Sequence, residues 1–134
     1  MPSSPKHILI IDDDPLIQRL FGAKLSANGF EVLYAANGDV GREMARRFLP
    51  DLILLDFRLP GTDGFVVAKR LKEEPRTANV PIVFFTNEDF SLEAEKAIKE
   101  LWAVDYIHKS IDLDEFIERV KRVISSFRKK RIVK

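Results

Sequence analysis

His7-Ile8-Leu9-Ile10-Ile11-Asp12-Asp13-Asp14 is an apolar run that ends abruptly in three carboxylates. Leu52-Ile53-Leu54-Leu55 stops in the same way at Asp56. Short continuous apolar runs such as these read as strands buried on both faces, the habit of parallel sheets. In open parallel α/β sheets, ligands bind outside the carboxyl ends of the strands. If the two strands are neighbours, Asp12, Asp13 and Asp56 converge. Two carboxylates about 4 Å apart repel by roughly 4 kcal/mol at an effective dielectric near 20. Such a cluster does not serve stability, and a divalent cation filling it would explain it.

Working outward, strand and helix patterns alternate, which predicts an α/β fold with a parallel sheet. His7 to Ile11 is the first strand. Pro15 to Ala27 is a helix with Ile17, Leu20, Phe21 and Leu25 at helical spacing, and Gly29 suits a left-handed position after its end. Glu31 to Ala35 is the second strand. Gly38 to Phe48 is the second helix, with Val40, Met44 and Phe48 on one face. Leu52 to Leu55 is the third strand, and Phe57 to Asp63 a loop marked by Pro60-Gly61. Gly64 to Glu73 or Glu74 is the third helix, carrying Phe65, Val67, Ala68 and Leu71. Val80 to Phe85 is the fourth strand, Ser91 or Leu92 to Leu101 the fourth helix, and Ala103 to Ile107 the fifth strand. Asp112 and Glu115 form a capping box for a last helix with Phe116, Val120, Val123 and Phe127 as its stripe. Five βα units wound in the order 2-1-3-4-5, flavodoxin-like and doubly wound with helices on both faces, place strands one and three together at the switch point. The expected organisation is a tail over 1–5, one domain over 6–127, and a basic tail or linker start over 128–134.

Composition narrows the function. The chain has 134 residues, 46% of them hydrophobic, with a net charge of +1. That balance gives no broad footprint for nucleic acid. No run is long enough for a membrane span, and residues 1–6 lack the apolar stretch of a secretory signal. There is no cysteine, which excludes thiolate metal sites and disulfides. The cytoplasm is the default expectation.

Asp12-Asp13, Asp56, Thr86 and Lys109 fall at the carboxyl ends of strands one, three, four and five. At these residues the chain resembles a response-regulator receiver domain over about 6–127. The family pattern has an acidic pair after the first strand, here Asp12-Asp13. It has Asp-x-x-x-Pro-x-x-Asp-Gly after the third, here Asp56 to Gly64. Thr86 matches its Thr or Ser, and Tyr106 and Lys109 its aromatic and lysine. The resemblance implies that Asp56 accepts a phosphoryl group as an acyl phosphate. It implies Mg²⁺ (or Mn²⁺) held by Asp13, Asp56 and the backbone carbonyl of Arg58, with Asp12 acting directly or through water. Lys109 and the Thr86 hydroxyl would hold the phosphoryl oxygens. Phosphorylation would draw Thr86 inward, let Tyr106 swing from exposed to buried, and change the face made by helix four, strand five and helix five. The donor would be a phosphohistidine on a sensor histidine kinase or a phosphotransfer protein, with a downstream protein as target. A monomer or a weak phosphorylation-dependent homodimer is expected. No separate substrate would be turned over, so the domain is not expected to be an enzyme beyond assisting its own phosphorylation and hydrolysis.

Other readings stand beside this one. An aspartate-nucleophile phosphatase of the haloacid-dehalogenase type wants a second Asp where Arg58 stands. A flavodoxin-like cofactor binder wants a Ser/Thr/Gly-rich loop where the three aspartates stand. A receiver-fold interaction module that works without phosphorylation has the same residues. Asp14 caps the first helix, with Pro15 at its first position. His7 and His108 read as structural or surface residues. Ser110 stands where the family has a cis proline, which predicts a trans Lys109–Ser110 bond. Trp102 stands in place of a small residue and reads as packing over a helix end. Asn87 stands where the family has a small residue and is expected to narrow access to Asp56. Arg58 and Glu88, of opposite charge, are expected to pair across the pocket mouth and slow dephosphorylation.

Overall fold

The computed structural model describes residues 4–101 and 103–132. Trp102, the first three residues and the last two lie outside them, as do the side chains of Leu101 and of 128–132. The early elements have the expected bounds: β1 (His7–Ile11), α1 (Pro15–Ala27), β2 (Glu31–Ala35), α2 (Gly38–Phe48) and β3 (Leu52–Leu55). The loop after β3 contains a small hairpin, β4 (Arg58–Leu59) and β5 (Thr62–Asp63), turning at Pro60-Gly61. Next come α3 (Gly64–Glu73), β6 (Ile82–Thr86), α4 (Leu92–Leu101), β7 (Asp105–His108) and α5 (Leu113–Ile132).

Besides the one-residue extensions of β6 to Thr86 and β7 to His108, three boundaries differ from expectation. β6 starts at Ile82 because Pro81 has no N–H to give to the ladder, although its carbonyl accepts from Ile53 N at 3.0 Å. β7 starts later than Ala103, whose N–H closes the end of α4 on Ile98 O at 2.9 Å. α5 runs past Phe127 to Ile132, through the basic segment.

The main sheet has the order β2-β1-β3-β6-β7, every pairing parallel. With the hairpin set aside, this is the expected 2-1-3-4-5 winding. Side chains alternate across it with period two. Leu9, Ile11, Ile53, Leu55 and Phe84 meet Ala45, Val67, Ala68, Leu71 and Ile98 from α2, α3 and α4. Ile8, Ile10, Leu52, Leu54, Val83 and Phe85 meet Phe21, Leu25, Phe116 and Val120 from α1 and α5. Every side chain of β3 and β6 is buried, as the continuous apolar runs require.

The face expected of α2 is corrected. Val40 and Phe48 are 45% and 52% exposed, and Met44 is only partly buried. The residues turned to the sheet are Gly38, Gly41 and Ala45. A Cβ on Gly41 would lie 2.5 Å from Ile11 Cδ1, so the helix packs close only because glycine stands there. On α1, Leu20 is 46% exposed while Phe21 and Leu25 are buried. Gly29 follows α1 with φ +90°, the left-handed conformation expected of it.

Candidate functional site

β1 and β3 are neighbours in register, Ile11 opposite Leu55, so the residues that follow them emerge side by side. The ladder continues one step: Asp12 N donates to Ala35 O and Asp56 N to Ile11 O, both at 2.9 Å. The backbone of both acids is therefore set by the sheet rather than by a loop. Asp12 and Asp56 are 1% and 7% exposed, and Asp13 faces solvent. One carboxylate oxygen from each of Asp12, Asp13 and Asp56 lies within 4.8 Å of the others. Asp14 stands apart from the cluster and caps α1, its Oδ1 accepting from Leu16 N at 2.9 Å.

Lys109 enters from the end of β7. Its Nζ lies 2.7 Å from Asp12 Oδ2 and 3.2 Å from Asp56 Oδ2, with the side chain 7% exposed. The approach to Asp12 is close, but it is not aligned as a hydrogen bond, and Asp12 Oδ2 stays a buried acceptor without a directed donor. Asp12 Oδ1 is satisfied by Asp14 N at 2.9 Å. Burial raises the Asp12 carboxyl above its ordinary pKa, against the opposing pull of Lys109 and the Asp14 N–H; the charge of Asp56 adds to the rise. For Lys109, burial alone would lower the pKa. Pairing with Asp12 and the negative charge of Asp12 and Asp56 outweigh it, and the ammonium is held above its ordinary range.

The donor set fits a hard divalent cation. All three side chains offer carboxylate oxygen within 4.8 Å of one another, and Asp12 Oδ2, paired in charge with Lys109, has no directed hydrogen bond.

The other strand end completes the cleft. Thr86 is 1% exposed, and its Oγ1 accepts from Glu88 N at 3.2 Å. Thr86 O in turn accepts from Lys109 N at 2.9 Å. Asp56, Thr86 and Lys109 line an open cleft of about 470 Å³ whose rim carries Arg58, Asn87, Glu88 and Asp89. Arg58 Nε is ion-paired with Glu88 Oε1, across the mouth as expected. Arg58 N points at Asp56 Oδ1 from 3.5 Å. All described peptide bonds are trans, Lys109–Ser110 included.

Gly64 explains part of the motif physically. A Cβ there would lie 2.8 Å from Asp56 O and 2.9 Å from Phe57 Cα. The first turn of α3, capped by Asp63 Oδ1 on Val66 N, can approach the Asp56 backbone only through glycine. Tyr106 is half-buried. Its hydroxyl donates to Glu88 O, and its ring centroid lies 5.3 Å from that of Phe90. Burial comes first, then the charges of Glu95, Asp89 and Glu88, in raising the phenol's pKa.

One set of contacts beside the cleft has no counterpart in the sequence expectations. His108, read as a structural or surface residue, bridges Asn87 and Asp89 to Ser110 at the cleft rim. A lone histidine at a strand end carries no signal that foretells this.

The family pattern for the response regulator receiver domain matches residues 8–121. The chain is 38% identical over 118 residues to the DNA-binding dual master transcriptional regulator RpaA of Synechocystis sp., covering 88% of this chain and 48% of that protein. It therefore spans about half the length of that relative. It is 34% identical over 118 residues to the polar-differentiation response regulator DivK of Brucella anthropi, covering 87% of this chain and 94% of DivK. Among solved structures, it resembles the receiver domain of sensor histidine kinase PA1611 of Pseudomonas aeruginosa, with a magnesium ion coordinated in its active-site cleft. That likeness has a TM-score of 0.79 and 27% identity, and covers 90% of this chain and 98% of the other. The family match over residues 8–121 takes in all five strands of the main sheet. This chain belongs to the response regulator receiver domain family, the phosphoacceptor module of two-component signalling.

Proposed function

We propose that Asp56 is the residue phosphorylated and that the donor is a phosphohistidine on a sensor histidine kinase or a histidine phosphotransfer protein. The observation that carries this is the meeting of Asp12, Asp13 and Asp56 oxygens within 4.8 Å, with the Lys109 ammonium 3.2 Å from Asp56. An Asp56 oxygen attacks phosphorus. The new O–P bond forms as the P–N bond to the donor imidazole breaks, and the electron pair leaves with the nitrogen. The product is an acyl phosphate.

Phosphoryl transfer asks mainly for positioning and charge neutralisation. Asp13 and Asp56 carboxylates and the Arg58 carbonyl would hold Mg²⁺ or Mn²⁺, with Asp12 binding directly or through water. When bound, the cation neutralises phosphoryl oxygens. Lys109 acts as a second fixed positive charge. The Thr86 oxygen accepts from Glu88 N, which leaves its O–H proton to donate to the transferred group. Asn87 narrows the entry, and the Arg58–Glu88 pair gates it against water.

Movement of Thr86 toward the phosphoryl group would shift the Glu88 backbone it bonds, and Tyr106 bonds that same residue. The readout is a change in the face formed by α4, β7 and α5, presented to a downstream protein by a monomer or a weak homodimer. Direct nucleic-acid binding is no part of this role. Among the described residues no helix is long and apolar enough to cross a membrane, which is consistent with a role in the cytoplasm. The domain works as a signalling module whose only chemistry is on its own phosphoryl group.

Incubation with acetyl phosphate and Mg²⁺, followed by intact mass, tests the reading. One added phosphoryl group that disappears in Asp56→Asn is expected. Uptake that survives Asp56→Asn would overturn it.

A further inference from the structure

His108 sits immediately before Lys109, and its ring reaches both loops that flank the cleft. Nε2 lies 3.2 Å from the main-chain oxygen of Asn87 and 3.2 Å from Asp89 Oδ1. On the other side of the ring, Ser110 N donates to Nδ1 at 3.1 Å, and Ser110 Oγ lies 2.8 Å from the same nitrogen. The tautomer with its proton on Nε2 satisfies both sides of the ring, Nδ1 accepting from Ser110 N and Nε2–H facing the Asn87 carbonyl. The Ser110 N–H favours that tautomer. A proline at position 110 could not favour it, since proline has no N–H.

The consequence is mechanical. Thr86 O already accepts from Lys109 N at 2.9 Å, and His108 adds a second tie one residue away at each strand end. The turn bearing Lys109 and the turn after Thr86 are then joined at adjacent points. A lysine stem has many rotamers, and its ammonium reaches Asp12 and Asp56 reproducibly only if its own backbone is held. The imidazole does that holding without touching the reacting atoms.

We propose that His108, in its Nε2–H tautomer, is a positioning residue for phosphoryl transfer, clamping the Asn87–Asp89 turn to the Lys109–Ser110 turn so that Thr86 and Lys109 face Asp56 together. This rests on Asp56 being the phosphoacceptor. Three variants separate the contacts. His108→Gln can return an N–H near the Nε2 position, His108→Asn an acceptor near Nδ1, and His108→Ala neither.

The rate of acyl-phosphate formation from acetyl phosphate and Mg²⁺, followed by intact mass, is expected to fall about tenfold in His108→Ala and to recover in part in His108→Gln. Mg²⁺ affinity, read from backbone amide shifts, is expected to stay at the wild-type value, which a general loss of structure would not allow. In the wild-type protein the ring nitrogen shifts above the imidazole titration range should report a protonated Nε2 and a bare Nδ1. A wild-type rate in His108→Ala, or a proton on Nδ1, overturns the proposal. The tautomer measurement needs no variant to fold and no phosphoryl uptake. If the wild-type chain takes up no phosphoryl group, the phosphoacceptor reading fails, and the tautomer still decides whether the clamp exists.

Discussion

The Lys109 ammonium lies 2.7 Å from Asp12 Oδ2, with side-chain exposures of 7% and 1%. This is one cation set among more than one anion: Asp56 Oδ2 is 3.2 Å from the same nitrogen. Removing one partner of a buried ion pair leaves the other uncompensated, at a typical cost of about 3 kcal/mol or more. Lys109→Met is therefore expected to lower stability by about 3 kcal/mol in the absence of divalent cation. Added Mg²⁺ should stabilise the variant more than the wild type, because it supplies the missing positive charge. Urea unfolding of both proteins with and without Mg²⁺ measures this, and equal Mg²⁺ effects would contradict it.

Asp12 itself opposes folding at neutral pH. Its carboxyl is held above the ordinary 3.8, chiefly by burial. A carboxyl with a raised folded pKa contributes stability below its unfolded value and loses that contribution as pH rises through the folded one. Because Asp56 still compensates the Lys109 ammonium, Asp12→Asn should melt at a higher temperature than the wild type at neutral pH without metal. The difference should close as pH falls below 3.8, where both side chains are uncharged. Thermal unfolding followed across this range checks the sign. The same variant should bind Mg²⁺ more weakly, a gain in stability set against function.

The residues at the strand ends were legible because two signals coincide there. Apolar runs mark β1, β3 and β6, and a polar residue terminates each: Asp12, Asp56 and Thr86. The helix faces were less legible. On α2, hydropathy favoured Val40, Met44 and Phe48, but close approach to Ile11 selects residues with little or no side chain, and glycine carries no hydropathy signal. The start of β6 was misplaced because Pro81 is apolar yet cannot donate. The role of His108 was hidden for a different reason. Its partners include a main-chain oxygen and a main-chain N–H, which belong to no residue type.

Gly64 gives a steric test. Alanine there would bring Cβ within 2.8 Å of both Asp56 O and Phe84 Cε1. Relief requires α3 to move off the sheet or Asp56 to shift. Gly64→Ala is expected to destabilise by about 1–3 kcal/mol and to slow phosphorylation by acetyl phosphate. Denaturant titration and the rate of mass gain report the two effects. A variant that matches the wild type in both would show that the contact is not constraining.

Arg58 and Glu88 predict a kinetic effect rather than a stability effect. Their ion pair is at the surface, with Arg58 75% exposed, so it adds little to folding. Both residues line the open cleft that holds Asp56. Arg58→Ala combined with Glu88→Ala is expected to shorten the lifetime of the aspartyl phosphate by about fivefold. Decay after removal of acetyl phosphate measures it, and an unchanged lifetime defeats the gate.

The central claim is that acids from separate strands share one cation. A crystal soaked in Mn²⁺ and measured near the manganese edge tests it most directly. The account predicts a single strong anomalous peak bonded to carboxylate oxygens of Asp13 and Asp56 and to the Arg58 carbonyl. No peak in that cleft, or one that excludes Asp56, would contradict it.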